Sequence, residues 1–155
     1  MKTILFVCTG NTCRSSMAEA LFKELLGKKG IEDIKVISAG LAAFEGDKAS
    51  PQAVHVMQKR GIDLTGHRAR RIDANLVNQA DLILTMTGRH KAHLISMFPE
   101  AAEKIHVLKE YVYDGSISAQ SAQILDPFGQ SVEVYEECAL QLEEALNKLI
   151  EKLTE

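Results

Sequence analysis

The sequence has no tryptophan, three cysteines, three prolines and only eight aromatic residues, five Phe and three Tyr, in 155 positions. So few aromatics leave little material for the base-stacking platform of a single-strand nucleic-acid binder or for a sugar-binding surface. Basic charge is not in excess either. Eighteen Lys+Arg face 21 Asp+Glu, and a formal net charge of −3 offers no electrostatic footprint for DNA or RNA. No apolar run approaches the roughly 20 residues of a membrane span. The stretch Ile4 to Cys8 behind Met1-Lys2-Thr3 is too short for a signal-peptide core and has no small-residue cleavage site. The expectation is a cytoplasmic protein, monomeric, with neither membrane nor nucleic acid as partner. Three is an odd number of cysteines, none lies in a Cys-x-x-Cys pair, and a chain of this length folds without disulfides. A cysteine of interest is therefore reactive or merely packed. His90 and His93 share a helical turn but have no third ligand nearby, so neither a metal site nor a cofactor is expected.

Hydrophobic residues at 46% and charged residues at 25% match soluble globular averages, and the length suits one core, a single domain over 1–155. Thr3 to Cys8 is a β-branched, nearly continuous apolar run ending in a Thr9-Gly10-Asn11 turn, the pattern of a strand buried on both faces. Ser15 to Lys28 follows with apolar residues at helical spacing and Gly30 as a stop. The alternation continues with a strand at Ile34 to Ala39, a helix from Ser50-Pro51 to Arg60, and a short helix at Asp73 to Gln79. A strand at Asp81 to Met86, a helix at Gly88 to Phe98 and a short strand at Ile105 to Leu108 complete it. Lys109 to Phe128 reads as a long functional loop, and Tyr135, Cys138, Leu142, Ala145, Leu149 and Leu153 mark a final amphipathic helix. Strands alternating with helices predict a doubly wound α/β fold: a four-stranded parallel sheet with helices on both faces. In such folds ligands bind beyond the carboxyl ends of the strands, which directs attention to the loop after the first strand.

That loop reads Cys8-Thr9-Gly10-Asn11-Thr12-Cys13-Arg14-Ser15. A strand before, a glycine inside and a helix after is the geometry in which backbone N–H groups and a helix N-terminus converge on one anion, so Thr9 to Arg14 are candidates for a phosphate cradle. Cys8 would sit among those N–H groups beside Arg14, surroundings that favour the nucleophilic thiolate. The Arg14 guanidinium matches two phosphoryl oxygens in a bidentate fork, and the Ser15 hydroxyl can donate to the Cys8 sulfur. Chemistry through a phosphocysteine needs a proton donor for the leaving group and then a base for water. Asp126, ahead of Pro127-Phe128 at the end of the long loop, is the candidate.

CTGNTCRS after the first strand, SMAEALF, ISAG, GHRAR, ADLILTMT and DPF, in this order along the whole chain, resemble the low-molecular-weight protein tyrosine phosphatase family. The resemblance implies Cys8 as nucleophile, Arg14 as phosphate binder, Ser15 as thiolate stabiliser and Asp126 as general acid, with phosphorylated proteins as substrates and no metal. It also suggests that Asn11, Ser38 and His67 form a network holding the cradle, and that Cys8 and Cys13 form a reversible protective disulfide.

Two departures bear on substrate. Tyrosine-directed members usually carry a larger aliphatic residue where Thr12 stands, and often tandem tyrosines after Asp-Pro where this chain has Phe128-Gly129. Thr12 and DPF resemble the bacterial protein-arginine phosphatase branch, in which a hydroxyl suits a planar guanidino group. Phe128, with Phe44 from the loop after the second strand, would sandwich that plane. The expectation is a phosphoarginine phosphatase. Phosphotyrosine is the alternative substrate. Arsenate reductase, which needs a relay of further thiols where this chain offers only Cys138, and a phosphocarrier stand behind both. Arg68, Arg70 and Arg71 read as a solvated basic face, with guidance of acidic substrates as the alternative.

Overall fold

The run from Lys2 to Cys8 forms strand β1, buried at six of its seven residues, in a computed structural model that describes residues 1–154. The last position of the expected 1–155 domain lies outside the described residues. β1 is flanked in parallel by β2 (Ile34–Gly40) and β3 (Leu82–Thr85), and β3 pairs in parallel with β4 (Ile105–Val107), giving the order β2-β1-β3-β4. This is the four-stranded parallel sheet that the alternating pattern predicts.

Because side chains alternate along a strand, β1 feeds two cores. Ile4, Phe6 and Cys8 pack with α1 (Arg14–Lys28), α2 (Pro51–Gln58) and the long α6 (Val132–Thr154), while Leu5 and Val7 pack with α3 (Ala74–Gln79) and α4 (Gly88–Met97). Phe6 meets Phe22 of α1 edge to face at 5.9 Å. Arg60, just past α2, bonds Glu136 at 2.9 Å and Glu143 at 3.0 Å, fastening the start of α6 against α2. Among the described residues no helix is long and apolar enough to cross a membrane.

Two stretches differ from the sequence expectation. The last strand stops at Val107 rather than Leu108, and the segment from Lys109 to Phe128 is not wholly loop: α5 (Leu108–Val112) takes in its first residues, because Leu108 and Val112, one helical turn apart, both face the core. α4 ends at Met97, and a 3₁₀ turn over Pro99–Lys104 leads into β4; the proline one residue beyond Phe98 stops the α-helix.

The helix starts separate the elements by role. Ser50, Asp73 and Thr87 cap α2, α3 and α4, accepting the N–H groups of Ala53, Leu76 and His90. α1 has no side-chain cap and no acidic residue in its first turn, so its leading N–H groups remain available to another acceptor. β2 ends where the loop after β1 crosses it. The Leu41 and Ala42 N–H groups donate to the carbonyls of Cys8 and Thr9 at 2.9 Å. A Cβ at Gly40 would stand 2.5 Å from the Thr9 carbonyl oxygen and 3.0 Å from the Asn11 nitrogen. Gly40→Ala is expected to cost about 1–3 kcal/mol by overpacking, read as a lower urea midpoint. The amide NMR shifts of residues 9–11 should move more than those of β2.

Candidate active site

A cavity of about 310 Å3 opens at the carboxyl end of β1, lined by Cys8, Thr9, Gly10, Thr12, Cys13 and Arg14 below and by Ala42, Phe44, Asp47, Asp126 and Phe128 at its sides. The loop reaches this shape through Asn11, whose backbone is left-handed (φ 60°), a conformation Asn tolerates better than most residues. Asn11 is completely buried. Its Oδ1 accepts from the Arg70 N–H at 2.9 Å, and its Nδ2 donates to Ser15 Oγ at 2.8 Å and to Ser38 Oγ at 2.9 Å. Its carbonyl lies 2.6 Å from His67 Nε2. A carbonyl only accepts, so this His67 nitrogen carries the proton.

Ser15 Oγ stands 2.8 Å from Cys8 Sγ. With Asn11 occupying an acceptor lone pair of that oxygen, the Ser15 proton is free to donate to sulfur. Ser38, likewise acceptor from Asn11, donates to the Glu19 carboxylate. A chain of hydrogen bonds thus runs from the Cys8 sulfur through Ser15, Asn11 and Ser38 to Glu19 on α1. Cys13 Sγ is 3.1 Å from the Tyr135 hydroxyl of α6.

Arg14 is nearly enclosed, with 4% of its surface exposed. Its Nη1 donates to the Ile124 carbonyl at 2.9 Å, its Nη2 lies 3.6 Å from Asp126 Oδ2, and its buried Nε has no partner among the described residues. The Ile124 N–H in turn donates to Met86 at the end of β3, so the late loop is tied to the sheet at the residue whose carbonyl holds Arg14. Asp126 accepts the Phe128 N–H on Oδ1 at 3.1 Å, a local turn that leaves Oδ2 toward Arg14. Phe44 and Phe128, 76% and 69% exposed, stand at the rim.

Of the residues assigned to the site in sequence, Cys8, Thr9, Gly10, Thr12, Cys13, Arg14, Phe44, Asp126 and Phe128 line the cavity itself, while Asn11, Ser15, Ser38 and His67 form the hydrogen-bonded network that shapes the loop. Other participants are not apparent from sequence. Arg70 works through its backbone, although the side chains of Arg68, Arg70 and Arg71 are solvated. His90 is buried and places Nε2 2.9 Å from Thr9 Oγ1, a role visible only when β3 is seen ending beside β1. Burial, with Arg14 nearby, pushes the His90 pKa down to about 4, which keeps the ring uncharged near neutral pH. Burial pushes the Cys138 thiol up to about 12. Among the described residues no group of three or more His, Cys, Asp or Glu is arranged to hold a metal ion.

A family model described as low molecular weight phosphotyrosine protein phosphatase matches residues 3–155. The chain belongs to this family. It is a cysteine phosphatase, of a family that acts on phosphorylated proteins. A protein-arginine-phosphatase of Bacillus subtilis is 41% identical to the phosphatase over 150 residues, 97% of this chain and 95% of the relative. The structure of a YwlE arginine phosphatase mutant with a phosphorylated active-site serine aligns with a TM-score of 0.91 at 41% identity, covering 99% of this chain and 96% of that one. A low molecular weight protein tyrosine phosphatase from T. tengcongensis aligns with a TM-score of 0.90 at 42% identity, covering 98% and 99%. Solved structures named for arginine and for tyrosine stand at 41% and 42% identity, so selectivity has to be sought in the cleft walls.

The depressed His90 pKa has a testable sign. Above about pH 6.5 the ring is neutral in both the folded and the unfolded phosphatase. Between about 6.5 and 4 the unfolded chain binds a proton that the folded one refuses, so stability falls as pH falls. Replacing His90 with Gln is expected to flatten that slope in urea midpoints measured from pH 7 to pH 4.5. An unchanged slope would show that the ring titrates normally.

Proposed function

We propose that this phosphatase hydrolyses phosphoarginine in proteins through a phosphocysteine intermediate. The observation that carries the substrate reading is the wall above Cys8, where the hydroxyl-bearing Thr12 stands with Phe44 and Phe128. A planar guanidinium stacks between two aromatic faces and hydrogen-bonds at its edges, whereas a phenol ring uses only the faces.

In the first step the Cys8 thiolate attacks phosphorus and the phosphorus–nitrogen bond breaks. Arg14, with its unpartnered Nε, and the uncapped N–H groups of α1 hold the phosphoryl oxygens and neutralise the charge that accumulates on them. Asp126 in its protonated form delivers a proton to the departing guanidino nitrogen. In the second step the Asp126 carboxylate takes a proton from water, water oxygen bonds to phosphorus, the sulfur–phosphorus bond breaks and inorganic phosphate leaves. Ser15 donates to Cys8 sulfur while it is negative, which favours the thiolate both as nucleophile and as leaving group. The YwlE mutant phosphorylated on its active-site serine supports a covalent phosphoryl intermediate at the corresponding loop.

Phosphotyrosine is the second reading, favoured by the similarity to the T. tengcongensis tyrosine phosphatase. A thiol relay of the arsenate-reductase kind finds no support, since Cys138 is buried with a raised pKa. A phosphocarrier has no use for an acid beside Arg14.

Cys8→Ser is expected to abolish turnover. kcat/KM on an arginine-phosphorylated peptide should exceed that on a tyrosine-phosphorylated peptide of the same sequence, and a preference for tyrosine would overturn the substrate reading. Asp126→Ala should lower kcat about 10²- to 10⁴-fold. The loss should be larger for phosphoarginine, because a guanidine leaves less readily without a proton than a phenol with its ordinary pKa of about 10. Equal losses on both substrates would argue against Asp126 as proton donor.

A further inference from the structure

The cleft wall contains a carboxylate that the mechanism leaves unused. Asp47 lines the same cavity as Cys8, Arg14 and Asp126. It arrives there through a four-residue turn, Phe44 to Asp47, closed by the Asp47 N–H donating to the Phe44 carbonyl at 3.1 Å. Gly46 occupies the third position at φ 86°, which a side chain would strain. The first and last residues of such a turn stand close together, so Phe44 and Asp47 enter the wall as a pair.

The turn is pinned to the rest of the fold. The Gly46 N–H donates to the Ala69 carbonyl at 3.0 Å and the Ala69 N–H to the Asp47 carbonyl at 2.7 Å. The residues on either side of Gly46 and Asp47 are tied to the segment from Arg68 to Arg71. Glu45 accepts the Arg71 N–H at 2.7 Å, and Lys48 lies in a backbone bridge with Arg68. None of the ion pairs among the described residues involves Asp47.

We propose that Asp47 is a specificity-determining residue, the counter-ion for the guanidinium of phosphoarginine while the phosphoryl group sits on the loop below. This rests on the phosphoarginine reading and adds the residue that enforces it. The site is layered in charge. Its floor is positive, made of Arg14 and the N–H groups of α1, and its wall carries the carboxylates of Asp126 and Asp47. Phosphoarginine has the same layering, an anion joined directly to a cation, whereas phosphotyrosine places an apolar ring at the height of the carboxylates. Asp126 is drawn to Arg14 and has a proton to carry, so Asp47 is the carboxylate left to pair with the cation. A guanidinium stacked on Phe44 presents its N–H edge toward the partner residue of the same turn.

The test compares wild type with Asp47→Asn, Asp47→Lys and Asp47→Glu on matched phosphoarginine and phosphotyrosine peptides, with thermal melting to establish that each variant is folded. Asp47→Asn is expected to lower the arginine-to-tyrosine ratio of kcat/KM about 5- to 10-fold. Asp47→Lys should lower it further, and Asp47→Glu should restore most of it. Raising the salt concentration should erode the wild-type ratio and leave that of Asp47→Asn nearly flat. Ratios within about twofold of wild type for both Asn and Lys would overturn the role of Asp47, whichever substrate the wild type prefers. A wild-type preference for phosphotyrosine overturns the substrate reading instead, and is seen without any Asp47 variant.

Discussion

The left-handed turn at Asn11 is the constraint on which the rest of the site depends. A buried side chain at positive φ persists only where its surroundings over-determine it. Here four hydrogen bonds reach Asn11 from separate parts of the chain: the start of α1, the end of β2, His67 and the Arg70 backbone. The sheet holds two of these partners in place: Ser38 lies in β2, and the Gly40 N–H at its end donates to the Arg70 carbonyl at 2.8 Å. β1 and β2 pair in register up to Cys8 and Gly40, and the missing side chain at Gly40 lets the loop pass within contact distance of β2. The shape of the anion cradle is therefore a property of the parallel sheet edge, transmitted through one amide side chain.

The same principle explains how charge is managed. An uncapped helix end costs about 1 kcal/mol relative to a capped one, and α2, α3 and α4 each carry their cap. α1 alone among those four leaves its first turn open, at the place where an anion supplies the missing acceptor. His90 packs close to Arg14 without adding a second positive charge, because burial keeps it neutral. Positive charge is thus concentrated on one guanidinium and one helix end rather than spread along the cleft.

Much of the architecture is legible in the sequence because it rests on local pattern. The buried run of β1, the turn at Gly10 and the helical spacing from Met17 to Leu26 lie within thirty consecutive residues, and together they locate Cys8, Arg14 and Ser15. What is not legible depends on contacts between distant segments or on backbone groups. Glu19 faces solvent or core on helical periodicity alone, and only the pairing of β1 with β2 brings Ser38 to it. Arg70 suggests a charged face, yet its contribution to the loop is an N–H that any non-proline residue possesses. His90 suggests a weak metal ligand until β3 is placed beside β1. The segment from Lys109 to Val112 reads as loop, and Leu108 as strand, because a five-residue helix is too short to show periodicity.

Floor and wall of the cleft differ in how they are built. Cys8, Arg14, Ser15 and Asn11 are buried and each is held by at least one contact from another segment, so altering one disturbs several. Phe44, Asp47 and Phe128 are exposed on turns anchored through backbone hydrogen bonds, so their side chains can change while the turns keep their place. Phosphoryl transfer needs donors fixed around phosphorus, whatever the leaving group. Selectivity needs only that the wall match what lies one bond beyond. A scaffold divided in this way permits relatives at 41% and 42% identity to be named for arginine and for tyrosine. The physical difference between the two substrates, a cation against an apolar ring, falls on the wall layer, where Asp126 is drawn to Arg14 and Asp47 stands exposed with no ion-pair partner among the described residues.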